Sequence, residues 1–187
     1  SAGGLAIFIS FAISSLVFLP LIVTRVHFFD TYFEYVFPIV VAGAVIILTG
    51  LIDDVRELAP LPKLLGILFA ALIIWFFTDF HFDSFKIPFG GPLLVFPTWL
   101  AFCLTVLWIV AITNAINLID GLDGLVAGVS IISLLTMGIV SYFFLYDSNI
   151  FLSLTIFVLV AAIAGFLPYN YHPAIIYLGD TGALFIG

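Results

Sequence analysis

The sequence predicts an all-α polytopic membrane protein, and three observations carry that expectation. Of its 187 residues 65% are hydrophobic and only 8% charged, with a mean hydropathy of +1.39, a composition outside the range of soluble domains. Apolar runs recur at 5–24, 35–52, 62–78, 98–118, 124–143 and 149–168, each near the roughly 20 residues a helix needs to cross hydrocarbon. The acidic residues collect in the short loops between runs, and no low-complexity tract, soluble linker or internal repeat interrupts the pattern.

Taken in order, the first run has neither the basic leader nor the small-residue cleavage site of a signal peptide, and similar runs follow it, so it reads as a true span. The second ends at Asp53-Asp54, and the third follows a short loop. Residues 82–89 then alternate apolar with polar side chains, Gly90-Gly91 offers a turn, and 93–96 is apolar again. That is the pattern of a short extracytoplasmic β-hairpin within 82–96, with an irregular interfacial loop as the alternative. The fourth run closes on a polar cluster at 114–125, the fifth and sixth follow, and a seventh opens near Gly182. About seven transmembrane helices in a single domain, 1–187, are expected. Ser1 is not an initiator Met and Gly187 falls inside an apolar run, so the chain is expected to be a fragment truncated at both ends. Cys103 stands alone within a run, which leaves no disulfide framework and points to packing.

If each run crosses once, the loops at 53–61, 119–123 and 169–181 open on one face. That face gathers Asp53, Asp54, Glu57, Asp120, Asp123 and Asp180, whereas Asp30, Glu34, Asp79, Asp83 and Asp147 lie opposite among aromatics. Basic residues do not orient the bundle, because Arg56 and Lys63 fall on the first face and Arg25 and Lys86 on the other. His27 and His81 fit an aromatic interfacial belt. A net charge of −7 with only four Lys and Arg offers no basic surface to nucleic acid.

A charged side chain at membrane depth costs about 2.5–3.5 kcal/mol even on insertion scales, so a retained cluster implies water, a metal or a substrate beside it. Asn114, Asn117 and Asp120 recur at three-residue intervals, an arc of roughly 120° that can face one cavity, and Gly121 and Gly124 let a ligand approach. Helix capping alone needs fewer polar groups than these two Asn residues and two Asp-Gly pairs supply. Adjacent Asp53 and Asp54 repel, and keeping both ionised calls for a cation or a shared proton; the alternative is an ordinary acidic loop partnered by Arg56. In Gly179-Asp180-Thr181-Gly182, Asp180 suits Mg²⁺ together with an amide such as Asn117, or caps the seventh helix, or both. His172, before Pro173, is a candidate phosphate contact. Acids outnumber Arg56 and Lys63 on this face, so a phosphorylated substrate is repelled unless a divalent ion intervenes. Mg²⁺, with Mn²⁺ as substitute, is therefore expected.

These residues closely resemble the motifs of the polyprenyl-phosphate N-acetylhexosamine-1-phosphate transferases, a membrane family. Asp53-Asp54 with Leu58 and Lys63, the stretch 114–125, and Gly179-Asp180-Thr181-Gly182 match in order, and Gly3-Gly4-Leu5 looks like the end of an early glycine motif. The resemblance implies transfer of a sugar 1-phosphate, GlcNAc 1-phosphate above all, from a UDP-N-acetylhexosamine to polyprenyl phosphate, with Mg²⁺ and release of UMP. It places the chain in the cytoplasmic membrane as a multi-pass enzyme of cell-envelope glycan synthesis, its active site facing the cytoplasm. It also implies Asp180 and Asn117 as metal ligands, Asp53 or Asp54 as the base, Asp123 as a uracil contact, Asp120 and Asn114 in the nucleotide pocket and Lys63 on diphosphate. The tract Tyr169-Asn170-Tyr171-His172-Pro173 looks more like the N-acetylglucosamine branch than the muramoyl-pentapeptide branch. Ala183 stands where Ser is common and Ile175 where a basic residue is common, which implies a weaker phosphate grip. Direct transfer, an aspartyl intermediate and a homodimer all stay open. The rival from another class is a cation-coupled transporter, whose acids belong mid-span rather than at helix ends.

Overall fold

The computed structural model describes residues 2–22, 26–56, 58–144 and 150–187. Arg25, Glu57 and Asp147, and the side chains of His27 and Asp30, lie outside the described residues. In order along the chain come α1 (Ala2–Ile13), a π-helical turn (Ser14–Phe18), α2 (Leu19–Ile22), α3 (Val26–Arg56), α4 (Pro60–Phe77), β1 (Ser84–Lys86), β2 (Leu93–Val95), α5 (Thr98–Ile119), α6 (Leu125–Phe143), α7 (Ile150–Asn170) and α8 (Gly179–Ile186). Pro20 lacks the N–H that would return to the Leu16 carbonyl, and its ring crowds that carbonyl. The widened turn just before it lets the helix continue. Pro60 opens α4 at a first-turn position, where a missing N–H leaves no bond unmade.

Five helices are long and apolar enough to cross a membrane: Tyr32–Arg56, Pro60–Phe77, Thr98–Ile119, Leu125–Phe143 and Ile150–Asn170. The first run forms a shorter apolar helix, Ala2–Phe18, and the seventh supplies the eight residues of α8. The all-α polytopic architecture therefore holds, with five full-length spans among the described residues rather than seven. Leu48, Phe69, Trp99 and Ile132 turn outward and exposed, as lipid-facing side chains do. Cys103 is also exposed, which corrects the packing expectation: a small apolar side chain on the outer face of α5 meets lipid without penalty.

The α8 helix is the hub, packing against α1, α3 and α5 with Thr181, Ala183 and Leu184 fully buried. Glycine makes that position available. A Cβ on Gly50 of α3 would lie 2.5 Å from Thr181 Cα, and one on Gly4 of α1 would collide with the Gly182 backbone. These two close approaches let the first turn of α8 settle against the polar end of α3. Ala183 belongs to a core with Ile7 and Val126, whereas Ile175 is exposed. At the far end of the bundle β1 and β2 pair antiparallel, Ser84 opposite Val95 and Lys86 opposite Leu93. Phe89 and Gly90, both at positive φ, turn the chain between them, so the hairpin lies within 82–96.

Candidate active site

The last turn of α3, the first turn of α4, the end of α5 and the start of α8 meet at one end of the bundle. Lys63 Nζ lies 2.7 Å from Asp53 Oδ2 and 2.7 Å from Asp180 Oδ2, bridging α3 and α8 from α4. Asn117 Nδ2 on α5 donates to the other Asp180 oxygen at 2.9 Å. Asp53 Oδ1 accepts the Leu58 N–H at 2.7 Å, which fixes the carboxylate across the α3–α4 turn. Its partner in the ion pair is thus Lys63 rather than Arg56, because α4 starts at Pro60 and carries Lys63 back toward the end of α3. A cleft of about 390 Å³ is lined by Asp53, Leu58, Lys63, Asn114, Asn117 and Asp180.

Asp54 turns the other way. Its Oδ1 accepts the Asp180 N–H at 3.1 Å and its Oδ2 the Thr181 hydroxyl, so a side chain from α3 satisfies donors in the first turn of α8. Asp180 itself is inside α8, after Leu178 and Gly179, and makes no cap bond. Asn114 lines the cleft but donates its amide N–H to Val110 on its own helix at 2.8 Å.

Beside this cleft a smaller one, about 210 Å³, is bordered by Asp120, Gly121, Leu122, Asp123, Asn170 and the tract 177–179. Burial pushes the Asp120 carboxyl up to about 6, and the charges of Asp180 and Asp54 add to the rise. Asp123 is held below the usual carboxylate range by the Ala174 N–H, at 3.1 Å from its Oδ2, and by His172, at 3.0 Å from the same oxygen. His172 is 82% exposed and meets Asp123 rather than the larger cleft. The expected site residues therefore fall in two adjoining clefts: Asp53, Lys63, Asn114, Asn117 and Asp180 in one, Asp120 and Asp123 in the other, with Asp54 at the first turn of α8 and His172 exposed beside Asp123. Asn170 borders the smaller cleft; in the sequence it stands within the tract 169–173, which assigns it no role of its own.

Mg²⁺ prefers hard oxygen donors, and Asp53, Asp180 and the Asn117 amide supply that chemistry. Among the described residues no group of three His, Cys, Asp or Glu side chains forms a metal cage. An ion would thus be held by one or two carboxylates and completed by substrate oxygens, the usual Mg²⁺ arrangement with phosphates.

Residues 36–187 match the family described as Glycosyl transferase family 4. The chain is 41% identical over 186 residues to the probable undecaprenyl-phosphate N-acetylglucosaminyl 1-phosphate transferase of Bacillus subtilis (strain 168), covering 99% of this chain and 48% of that protein. It is 36% identical over 192 residues to the decaprenyl-phosphate N-acetylglucosaminephosphotransferase of Mycolicibacterium smegmatis, covering 99% of this chain and 46% of the relative. It is 33% identical over 200 residues to the phospho-N-acetylmuramoyl-pentapeptide-transferase of Staphylococcus epidermidis, covering 99% and 58%. The chain thus spans about half the length of the curated relatives it matches. On the family match and these identities along nearly its whole length, the chain belongs to glycosyl transferase family 4.

Proposed function

We propose that this chain holds the central part of a site that transfers N-acetylhexosamine 1-phosphate from a UDP-sugar to a polyprenyl phosphate, releasing UMP, in cell-envelope glycan synthesis. The observation that carries the reading is the meeting of Asp53, Lys63, Asn117 and Asp180, from four helices, in one cleft at the ends of apolar spans. Relatives named for N-acetylglucosamine match at 41% and 36% and one named for the muramoyl pentapeptide at 33%, which favours a GlcNAc donor. The acids lie at helix ends rather than mid-span, which weighs against a cation-coupled transporter.

Asp180 and Asn117 would hold Mg²⁺ or Mn²⁺, which when bound neutralises charge building on the diphosphate oxygens. Lys63, already between two carboxylates, supplies a second positive charge to a phosphate entering the cleft. Asp53 lines the cleft and Asp54 faces α8, so Asp53 is the carboxylate suited to take the last proton from the lipid phosphate. The freed oxygen attacks the β-phosphorus, the new O–P bond forms as the bond to the α-phosphate breaks, and UMP leaves. Asp120 and Asp123 border the smaller cleft, which suits the uridine half of the donor. On this reading the motif end faces the cytoplasm, the side on which a UDP-sugar donor is met, in a multi-pass cytoplasmic-membrane protein.

The test is transfer of labelled GlcNAc 1-phosphate from UDP-GlcNAc to polyprenyl phosphate by the protein in detergent. EDTA should stop it and added Mg²⁺ restore it; lipid-linked product formed at full rate in EDTA would overturn the metal assignment, and no lipid-linked product under any condition the transfer reading.

A further inference from the structure

Asn170 closes α7 and is 5% exposed, yet each end of its amide reaches a different loop. Oδ1 accepts the Gly124 N–H at 3.1 Å, and Nδ2 donates to the Ile176 carbonyl at 3.0 Å. Gly124, at φ 74°, is the capping residue just before α6, so its N–H has no intrahelical partner. One buried side chain thereby ties the 120–124 loop to the 171–178 loop. The second tie, from Asp123 Oδ2 to Ala174 N–H and His172, lies outside it and involves an 82% exposed imidazole. Between the two loops sits the cleft of about 210 Å³, with Asp120 and Asp123 on one wall, Tyr177 and Gly179 on the other, and Asn170 joining them.

We propose that Asn170 is a positioning residue that fixes the spacing of the two walls and so sets affinity for the nucleoside monophosphate half of the donor. The inference rests on reading this cleft as the nucleotide pocket. The amide meets both requirements with separate atoms, since Gly124 needs an acceptor and Ile176 a donor. Aspartate keeps the acceptor and loses the donor, leucine keeps the volume and loses both, and each leaves a buried backbone group unpaired.

The experiment compares the protein in detergent with Asn170→Asp and Asn170→Leu, measuring UMP binding, amide hydrogen exchange and KM for both substrates. UMP affinity is expected to fall about tenfold in both variants. Exchange should quicken together in 120–125 and 170–178, and KM should rise for the UDP-sugar but not for polyprenyl phosphate. Should Asn170→Leu fail to fold, the near-isosteric Asn170→Asp decides alone. Unchanged UMP binding in the variants, faster exchange in one loop only, or a KM rise shared by both substrates would overturn the inference. Failure of the unsubstituted protein to bind UMP would instead sink the nucleotide reading, and this inference with it.

Discussion

The end of the bundle where α3, α4, α5 and α8 meet differs from the opposite end in how polar side chains find partners. At the first, Lys63 joins Asp53 to Asp180, Asn117 reaches Asp180, and Asp54 holds the start of α8, and each of these bonds crosses between helices. At the second, bonds are mostly local: Thr78 donates to Ile74 four residues back, Thr105 to Ala101, and His81 stacks on Trp75 and bonds its carbonyl. Asp83 is 67% exposed and 4.0 Å from His81. Acids occur at both ends, so charge count does not tell the ends apart; cross-helix connection does. A carboxylate held by several elements is oriented before any ligand arrives, which is what electrostatic catalysis requires.

That contrast ranks the expected effects of substitution. Asp180→Asn removes the charge at the junction of three elements, and transfer should fall by about a thousandfold or more with the helical circular-dichroism signal unchanged. Transfer within tenfold of the unsubstituted protein would erase the distinction between the ends. Thr181→Val takes the buried hydroxyl from Asp54 and should slow transfer roughly tenfold to a hundredfold and lower the thermal midpoint, since Asp180 then loses its fixed approach. A double variant with Asp54→Ala should be little worse than the poorer single one; full additivity would mean that the two do not act as a pair.

A pH profile sharpens the comparison further. Asp120, raised to about 6, is protonated below that value and charged above it. A raised folded-state pKa favours the protonated form, so its contribution to stability is full below about pH 4, the unfolded value, and lost as pH rises through about 6. Transfer, if it uses the carboxylate, climbs over the same interval. Asp120→Asn should flatten both limbs, and a stability curve that keeps its slope would show that another group carries it. The smallest effect belongs to the far end, where Asp83→Asn should leave transfer within about twofold, as for most exposed surface positions.

Much of this was legible in sequence. Alternating spans put the 53–61, 119–123 and 169–181 loops on one side by parity alone, and alternation around Gly90-Gly91 marked the hairpin. Partner choice was not legible. Arg56 is nearer to Asp53 in sequence, but Pro60 restarts the helix and brings Lys63 round instead. Asp180 looked like a cap for its own helix, whereas the cap comes from Asp54, more than a hundred residues earlier, across contacts opened by Gly4 and Gly50. The exposure of Cys103 was hidden because a membrane helix is apolar on both its packed and its lipid faces. The bridging role of Asn170, within a tract the sequence does single out, was hidden since its partners are backbone groups, which carry no sequence signature.

The most direct test is Mn²⁺ binding followed by electron paramagnetic resonance, in the presence of UMP, comparing the protein with Asp180→Asn. Stoichiometric binding that the substitution weakens by at least about tenfold is the expected result. Equal Mn²⁺ affinity in the two proteins, or none in either, would contradict a divalent-ion site at the meeting of α3, α5 and α8.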